Sequence, residues 1–218
     1  MKLWIWVLDL LFPPKCPFCE RVLEDPRAPV CPACQPELPW LDEKDSFRKV
    51  EFTSGCWSAL EYRDAVRECV HRYKFTPIRA RGAALGKLMA QCTQDHPEIR
   101  PDVITWAPLS AKRRRKRGFD QAEELAWQMG RELGLPVQAL LQKMWDTKQQ
   151  SSLKETQARR ANVLGVYSLC PDADVKGKRV LLVDDVVTSG STLSACAKVL
   201  VQAGVEEVWC VTLAQAGN

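Results

Sequence analysis

Asp184 and Asp185 are adjacent carboxylates between an apolar run, Val180-Leu181-Leu182-Val183, and a short loop, Thr188-Ser189-Gly190-Ser191-Thr192. The run is branched and apolar, as a strand buried on both faces of a parallel sheet must be. The spacing predicts a strand over 179–183, which puts both carboxylates at its carboxyl end. Ligands bind there in open α/β sheets. The loop residues are small, so backbone N–H groups can come close to an anion. Leu193, Ala197 and Leu200 follow at helical spacing up to Gly204, a helix stop. A helix N-terminus behind a small-residue loop is an anion site. Carboxylates for hydroxyls beside a cradle for phosphate suit a phosphorylated sugar. An ordinary buried strand with an acidic turn and a capped helix is the bland alternative.

Two further clusters could do chemistry. Cys16-Pro17-Phe18-Cys19 and Cys31-Pro32-Ala33-Cys34 are C-x-x-C pairs eleven residues apart. Each pair can turn two thiolates toward one ion, and together they complete a tetrahedral Cys₄ set suited to Zn²⁺. Four protein ligands leave no open position, so the predicted metal is structural. The second cluster is Lys112-Arg113-Arg114-Arg115-Lys116-Arg117, six consecutive basic residues expected on a loop after a strand near 101–109. Such a run is either a solvated charged face or an anion site for pyrophosphate, for a nucleic-acid backbone, or for both in turn. Arg suits bidentate phosphate contacts.

The elements that must position these groups are legible in outline. The 218 residues can hold one α/β domain and a small appendage, and the net charge of +4 does not by itself point to nucleic acid. Helices are expected over 62–75, 83–92 and 122–133. Gly82 to Leu88 resembles a phosphate-binding P-loop only faintly, being one residue short without the closing hydroxyl, and reads as helix. Residues 45–53 read as a polar seam between modules. The remaining six of ten cysteines show no paired spacing and read as small apolar residues, and neither His71 nor His96 lies near a second ligand. Leu3 to Phe12 carries Asp9, lacks a small-residue cleavage site and is too short to span a bilayer. It is expected to pack as a short helix, with a membrane-surface role as the alternative. The polar stretch from Thr147 through Asn162 reads either as a lid or as a plain surface connection.

The loop segment resembles the phosphoribosyl pyrophosphate (PRPP) motif of type I phosphoribosyltransferases, with Ser189 standing where a second Thr is usual. At full length the chain resembles the ComF family. The match runs through Leu10-Leu11-Phe12-Pro13-Pro14, the four cysteines, Tyr62, Arg67 and Lys74-Phe75. It continues through Arg117-Gly118-Phe119-Asp120-Gln121 and Thr147, Gln150, Leu153, Arg159 and Asn162, and ends in the PRPP motif. Asp120 departs from the usual Asn, and Trp106 from a common Pro.

The resemblance implies a type I phosphoribosyltransferase-like parallel sheet flanked by helices, with an N-terminal Cys₄ zinc ribbon over 1–50 and the transferase-like domain over 51–218. It implies that Asp184 and Asp185 hold the ribose hydroxyls. Thr188, Ser189, Gly190, Ser191 and Thr192 would wrap the 5′-phosphate. Arg113, Arg115, Arg117 or Lys148 would face the pyrophosphate or a nucleic acid. Structural Zn²⁺ and PRPP-borne Mg²⁺ are the implied cofactors. A link to natural competence follows, with single-stranded DNA and the competence helicase and uptake proteins as candidate partners, in the cytoplasm or at the inner face of the membrane. The alternative is a single-stranded DNA-binding competence factor whose PRPP site is regulatory; Phe18 and Trp40 are expected to be exposed for it. An amidophosphoribosyltransferase fits poorly, since residue 2 is Lys rather than a nucleophilic Cys.

Overall fold

The computed structural model describes residues 13–75, 79–144 and 165–217. The apolar segment at Leu3 to Phe12, Lys148 and the 147–162 stretch lie outside the described residues.

Four long apolar runs set the architecture. β2 (Gly55–Glu61), β3 (Val103–Trp106), β6 (Arg179–Val187) and β7 (Glu207–Gln215) lie parallel, and the short β1 (Phe47–Arg48) pairs antiparallel with β2. The order is β1-β2-β7-β6-β3. A separate two-stranded antiparallel sheet joins β4 (Leu141–Lys143) to β5 (Tyr167–Leu169).

Side chains alternate across the sheet, and each face has its own core. Leu181, Val183, Val211 and Leu213 pack with α1 (Asp64–Phe75), α2 (Arg79–Gln94) and α4 (Gln121–Leu133). Val180, Leu182, Val208 and Cys210 pack with α5 (Ser191–Gln202) and the small sheet. The Gly82–Leu88 stretch is interior to α2, which disposes of the P-loop likeness. Cys16, Phe18, Leu23 and Cys31 belong to the same core as Trp57, Val70 and Leu85, so the cysteine-rich segment is packed into the body. No helix of the described residues is long and apolar enough to cross a membrane.

Three local expectations change. The basic run is a helix, α3 (Ala111–Arg117), because Ser110 caps its N-terminus and Gly118, at φ 82°, closes its end. The 45–53 seam contains β1 and joins the main sheet. β6 runs four residues past Val183, because β7 continues to pair with it as far as Gln215.

Candidate functional site

The longer β6 explains the site better than the shorter one expected. β3 ends at Trp106 opposite Val183, while β7 accompanies β6 to Val187. From Asp184 onward β6 therefore has a strand on one side only, and a cleft of about 200 Å³ opens on the other. Being consecutive on a strand, the two carboxylates point to opposite faces, yet both line this cleft.

Asp185 lies on the α1 face, where Lys74 Nζ stands 2.9 Å from its Oδ2. Asp184 accepts the Asp185 backbone N–H at 2.8 Å. Burial pushes its carboxyl up to about 8, the Asp185 charge adds to that, and this backbone bond and Lys74 oppose it.

The Thr188–Thr192 loop follows directly. Gly190 sits at φ 73° and forms the N-cap of α5. Bringing no side chain, Gly190 does not cap the first turn itself, and the Ser191 N–H donates to Ser189 Oγ at 3.4 Å, so small hydroxyls and backbone N–H groups gather at the helix start, the arrangement that attracts anions. Ser189 Oγ and Ser191 Oγ are 3.0 Å apart. A small recess over the loop adjoins the cleft and shares Asp184, Val186 and Thr192 with it.

α3 borders the opposite wall, and its helical repeat sorts the basic residues. Arg113 and Arg117, one turn apart, line the cleft. Arg117 Nη1 donates to Gln121 Oε1 at 2.5 Å, and its guanidinium stands 5.9 Å from the centre of the Phe75 ring. Arg114 pairs with Glu123 at 2.9 Å. Lys112, Arg115 and Lys116 are exposed on the outer face, and none of them borders the cleft. Of the four basic residues expected at the anion site, the structure brings Arg113 and Arg117 together and turns Arg115 away.

Asp120 resolves the departure from Asn. Its Oδ1 accepts from the backbone N–H groups of Ala122 (3.1 Å) and Glu123 (3.4 Å), capping α4, while Oδ2 accepts from Leu109 N–H at 2.7 Å. Both oxygens act as acceptors, a pattern a carboxylate satisfies without an amide. Burial nonetheless raises its carboxyl above the ordinary range, against those three bonds.

Three cleft residues were not singled out as site residues from sequence. Lys74 was visible only as part of a family pattern. Lys143 Nζ donates to Tyr167 Oη at 3.0 Å, and both belong to the small sheet that closes one wall. Nothing in the local pattern at 143 or 167 signals this, because the pairing brings together strands far apart in sequence.

The four cysteine sulfurs all lie within 4.8 Å of one another, as thiolates about 2.3 Å from a shared tetrahedral ion would. The residues fit Zn²⁺, and the site is structural. Arg72 Nη2 donates to the carbonyls of Pro17 (3.2 Å) and Phe18 (2.7 Å) in the first knuckle. Phe18 is buried at 5% exposure, against the expectation of an exposed aromatic, because it fills the seam between knuckle and body. Trp40 is exposed at 39%. Burial raises the thiols of Cys56, Cys69 and Cys92 to about 12, so these are inert core residues. A larger cavity of about 530 Å³ beside Trp40 and His96 contains none of the predicted site residues.

Comparisons with known proteins agree with this geometry. The model of the phosphoribosyl transferase domain matches residues 115–218, and that of the double zinc ribbon domain matches residues 7–45. The chain is 28% identical to Competence protein F of Haemophilus influenzae, over 92% of this chain and 90% of that one. It is 27% identical to DNA utilization protein YhgH of Salmonella typhi, over 90% and 88%. It is 26% identical to Competence protein ComFC of Streptococcus pneumoniae, over 67% and 62%. Fold and site together define a type I phosphoribosyltransferase fold carrying an N-terminal Cys₄ zinc ribbon. Within that class, the chain is similar along most of its length to the relatives named Competence protein F and DNA utilization protein YhgH.

Proposed function

We propose that the cleft binds PRPP and that the protein serves the handling of incoming DNA, at the cytoplasmic side of the membrane. The observation that carries the binding is that the cleft lined by the two carboxylates adjoins the loop recess at the N-terminus of α5, with Asp184 and Thr192 lining both. In this reading Asp184 and Asp185 hold the ribose hydroxyls. Thr188, Ser189, Gly190, Ser191 and Thr192 take the 5′-phosphate through backbone N–H groups and hydroxyls. Arg113 and Arg117 face the pyrophosphate from α3, where fixed positive charge also stabilises it as a leaving group. Mg²⁺ would accompany the substrate and would offset the negative charge of its pyrophosphate beside Asp184 and Asp185. Residues 1–50 act as the zinc-bound module and 51–218 as the binding body.

Calorimetric titration of the folded, zinc-loaded protein with PRPP and Mg²⁺ tests this. Saturable binding is expected, and none at millimolar PRPP overturns it. Pyrophosphate release in the presence of nucleobases measures whether transfer to a nucleophile follows.

The outer face of α3 supports a second role. Lys112, Arg115 and Lys116 are exposed together on one short helix, a footprint for a phosphate backbone, and the names of the relatives supply the DNA context. Single-stranded DNA is the partner this face fits, with affinity that falls steeply with salt.

A further inference from the structure

The connecting segment between ribbon and body reaches the phosphate loop. The guanidinium of Arg48, on the edge strand β1, donates from Nη1 to the backbone carbonyl of Thr188, the first loop residue. Its Nη2 donates to the carbonyl of Ala216, just past the end of β7, at 2.7 Å. The Ala216 N–H in turn donates to the Val187 carbonyl at 2.9 Å, so the guanidinium bridges both chain segments where β6 turns into the loop. Two residues on, Val50 is buried against the loop. A Cβ placed on Gly190 would stand 3.2 Å from Val50 Cγ2, on top of the strain at φ 73°. Among the described residues no carboxylate lies within ion-pair distance of Arg48.

We infer that Arg48 is a positioning residue for the phosphate half of the site. An anion-binding loop works when its N–H groups converge, and that requires its carbonyls to be held pointing away. Arg48 holds the Thr188 carbonyl from the β7 side of β6, away from the side on which β3 stops short and the cleft opens. It does so with a charge-assisted bond, stronger than a neutral one. Its positive charge stays beside the loop, with no carboxylate partner among the described residues. Val50 supports the same loop from the same segment. The carboxylates and α3 receive no such contact from Arg48. Its influence therefore falls on the sugar-phosphate end of the ligand and spares the pyrophosphate end. The assignment to ligand ends rests on the proposed PRPP reading, while the hold on the loop does not.

The experiment uses the full-length, zinc-loaded wild type, Arg48→Met and Arg48→Lys. Zinc content and thermal midpoint are measured alongside. Ribose 5-phosphate and magnesium pyrophosphate are titrated separately by calorimetry, and amide hydrogen exchange is followed over 188–193 without ligand. Arg48→Met is expected to weaken ribose 5-phosphate binding about tenfold or more, to change pyrophosphate binding less than about twofold, and to speed exchange in the loop. Arg48→Lys, which keeps the charge and can reach one carbonyl, is expected to recover most of the affinity. Unchanged exchange together with unchanged ribose 5-phosphate affinity in Arg48→Met overturns the inference, as does equal loss of both ligands. If Arg48→Met does not fold, Arg48→Gln, which stays polar but loses the charge and the two-carbonyl reach, carries the test: a wild-type loop exchange rate together with wild-type ribose 5-phosphate affinity overturns the inference. Failure of the wild type to bind any ligand strikes the PRPP reading instead, and loop exchange still decides the role of Arg48.

Discussion

At Asp184 a half-buried carboxyl beside a second carboxylate has a cost that depends on pH. Its folded-state value, about 8, lies above the ordinary carboxylate value. Between about pH 4 and 8 the folded state therefore binds a proton that the unfolded state has released, and ligand-free stability falls as pH rises through that window. Asp184→Asn removes the titration. Its thermal midpoint should match wild type near pH 5 and exceed it by about 10 °C near pH 8.5, while ribose 5-phosphate binding is lost. A parallel pH dependence in both proteins would show that Asp184 is not the group that titrates. Asp120 makes a different prediction. Its two oxygens satisfy three backbone N–H groups at the start of α4 and in the loop after β3. Asp120→Ala leaves them unpaired at a buried position, for a loss of about 2 kcal/mol in chemical denaturation.

At the scale of elements, α3 divides its charges by helical spacing, and that division is measurable. Arg113→Ala and Arg117→Ala should each weaken magnesium pyrophosphate about tenfold, because their side chains border the cleft. The triple change Lys112→Ala, Arg115→Ala and Lys116→Ala should leave pyrophosphate binding alone and lower the salt slope of single-stranded DNA affinity by about 2. Equal effects of the two sets on both ligands would mean that the faces are not separate. The sequence showed six basic residues but not their two directions, since the periodicity that sorts them appears only once Ser110 and Gly118 make the run a helix. The carboxylate pair and its loop were legible because strand, acid pair, small-residue loop and helix are all local. Lys74, Lys143 and Tyr167 were not, because α1 and the small sheet bring them to the cleft from distant parts of the chain. Phe18 was misjudged for the same reason: next to a cysteine knuckle it reads as surface, and only packing against the body buries it.

For the whole molecule, the decisive question is whether the zinc ribbon and the binding body are one cooperative unit. The ribbon's Cys16, Phe18, Leu23 and Cys31 share a core with β2, α1 and α2. The polar ties run the same way: Arg72 to the Pro17 and Phe18 carbonyls, Arg81 to Glu20 at 2.6 Å, and Lys87 to the Arg27 carbonyl at 3.1 Å. Arg72 and Lys74 lie two residues apart on α1, one gripping a metal knuckle and the other Asp185. Removing the metal releases folding free energy from the ribbon and uncovers the core it shares. Chelation, or Cys16→Ser, should therefore lower the midpoint of a single calorimetric transition by about 10 °C and weaken ribose 5-phosphate binding through α1. A ribbon that melted alone, leaving the main transition and the sugar-phosphate affinity at wild-type values, would show two independent modules. In that case Lys74 would keep its place beside Asp185 without help from the metal.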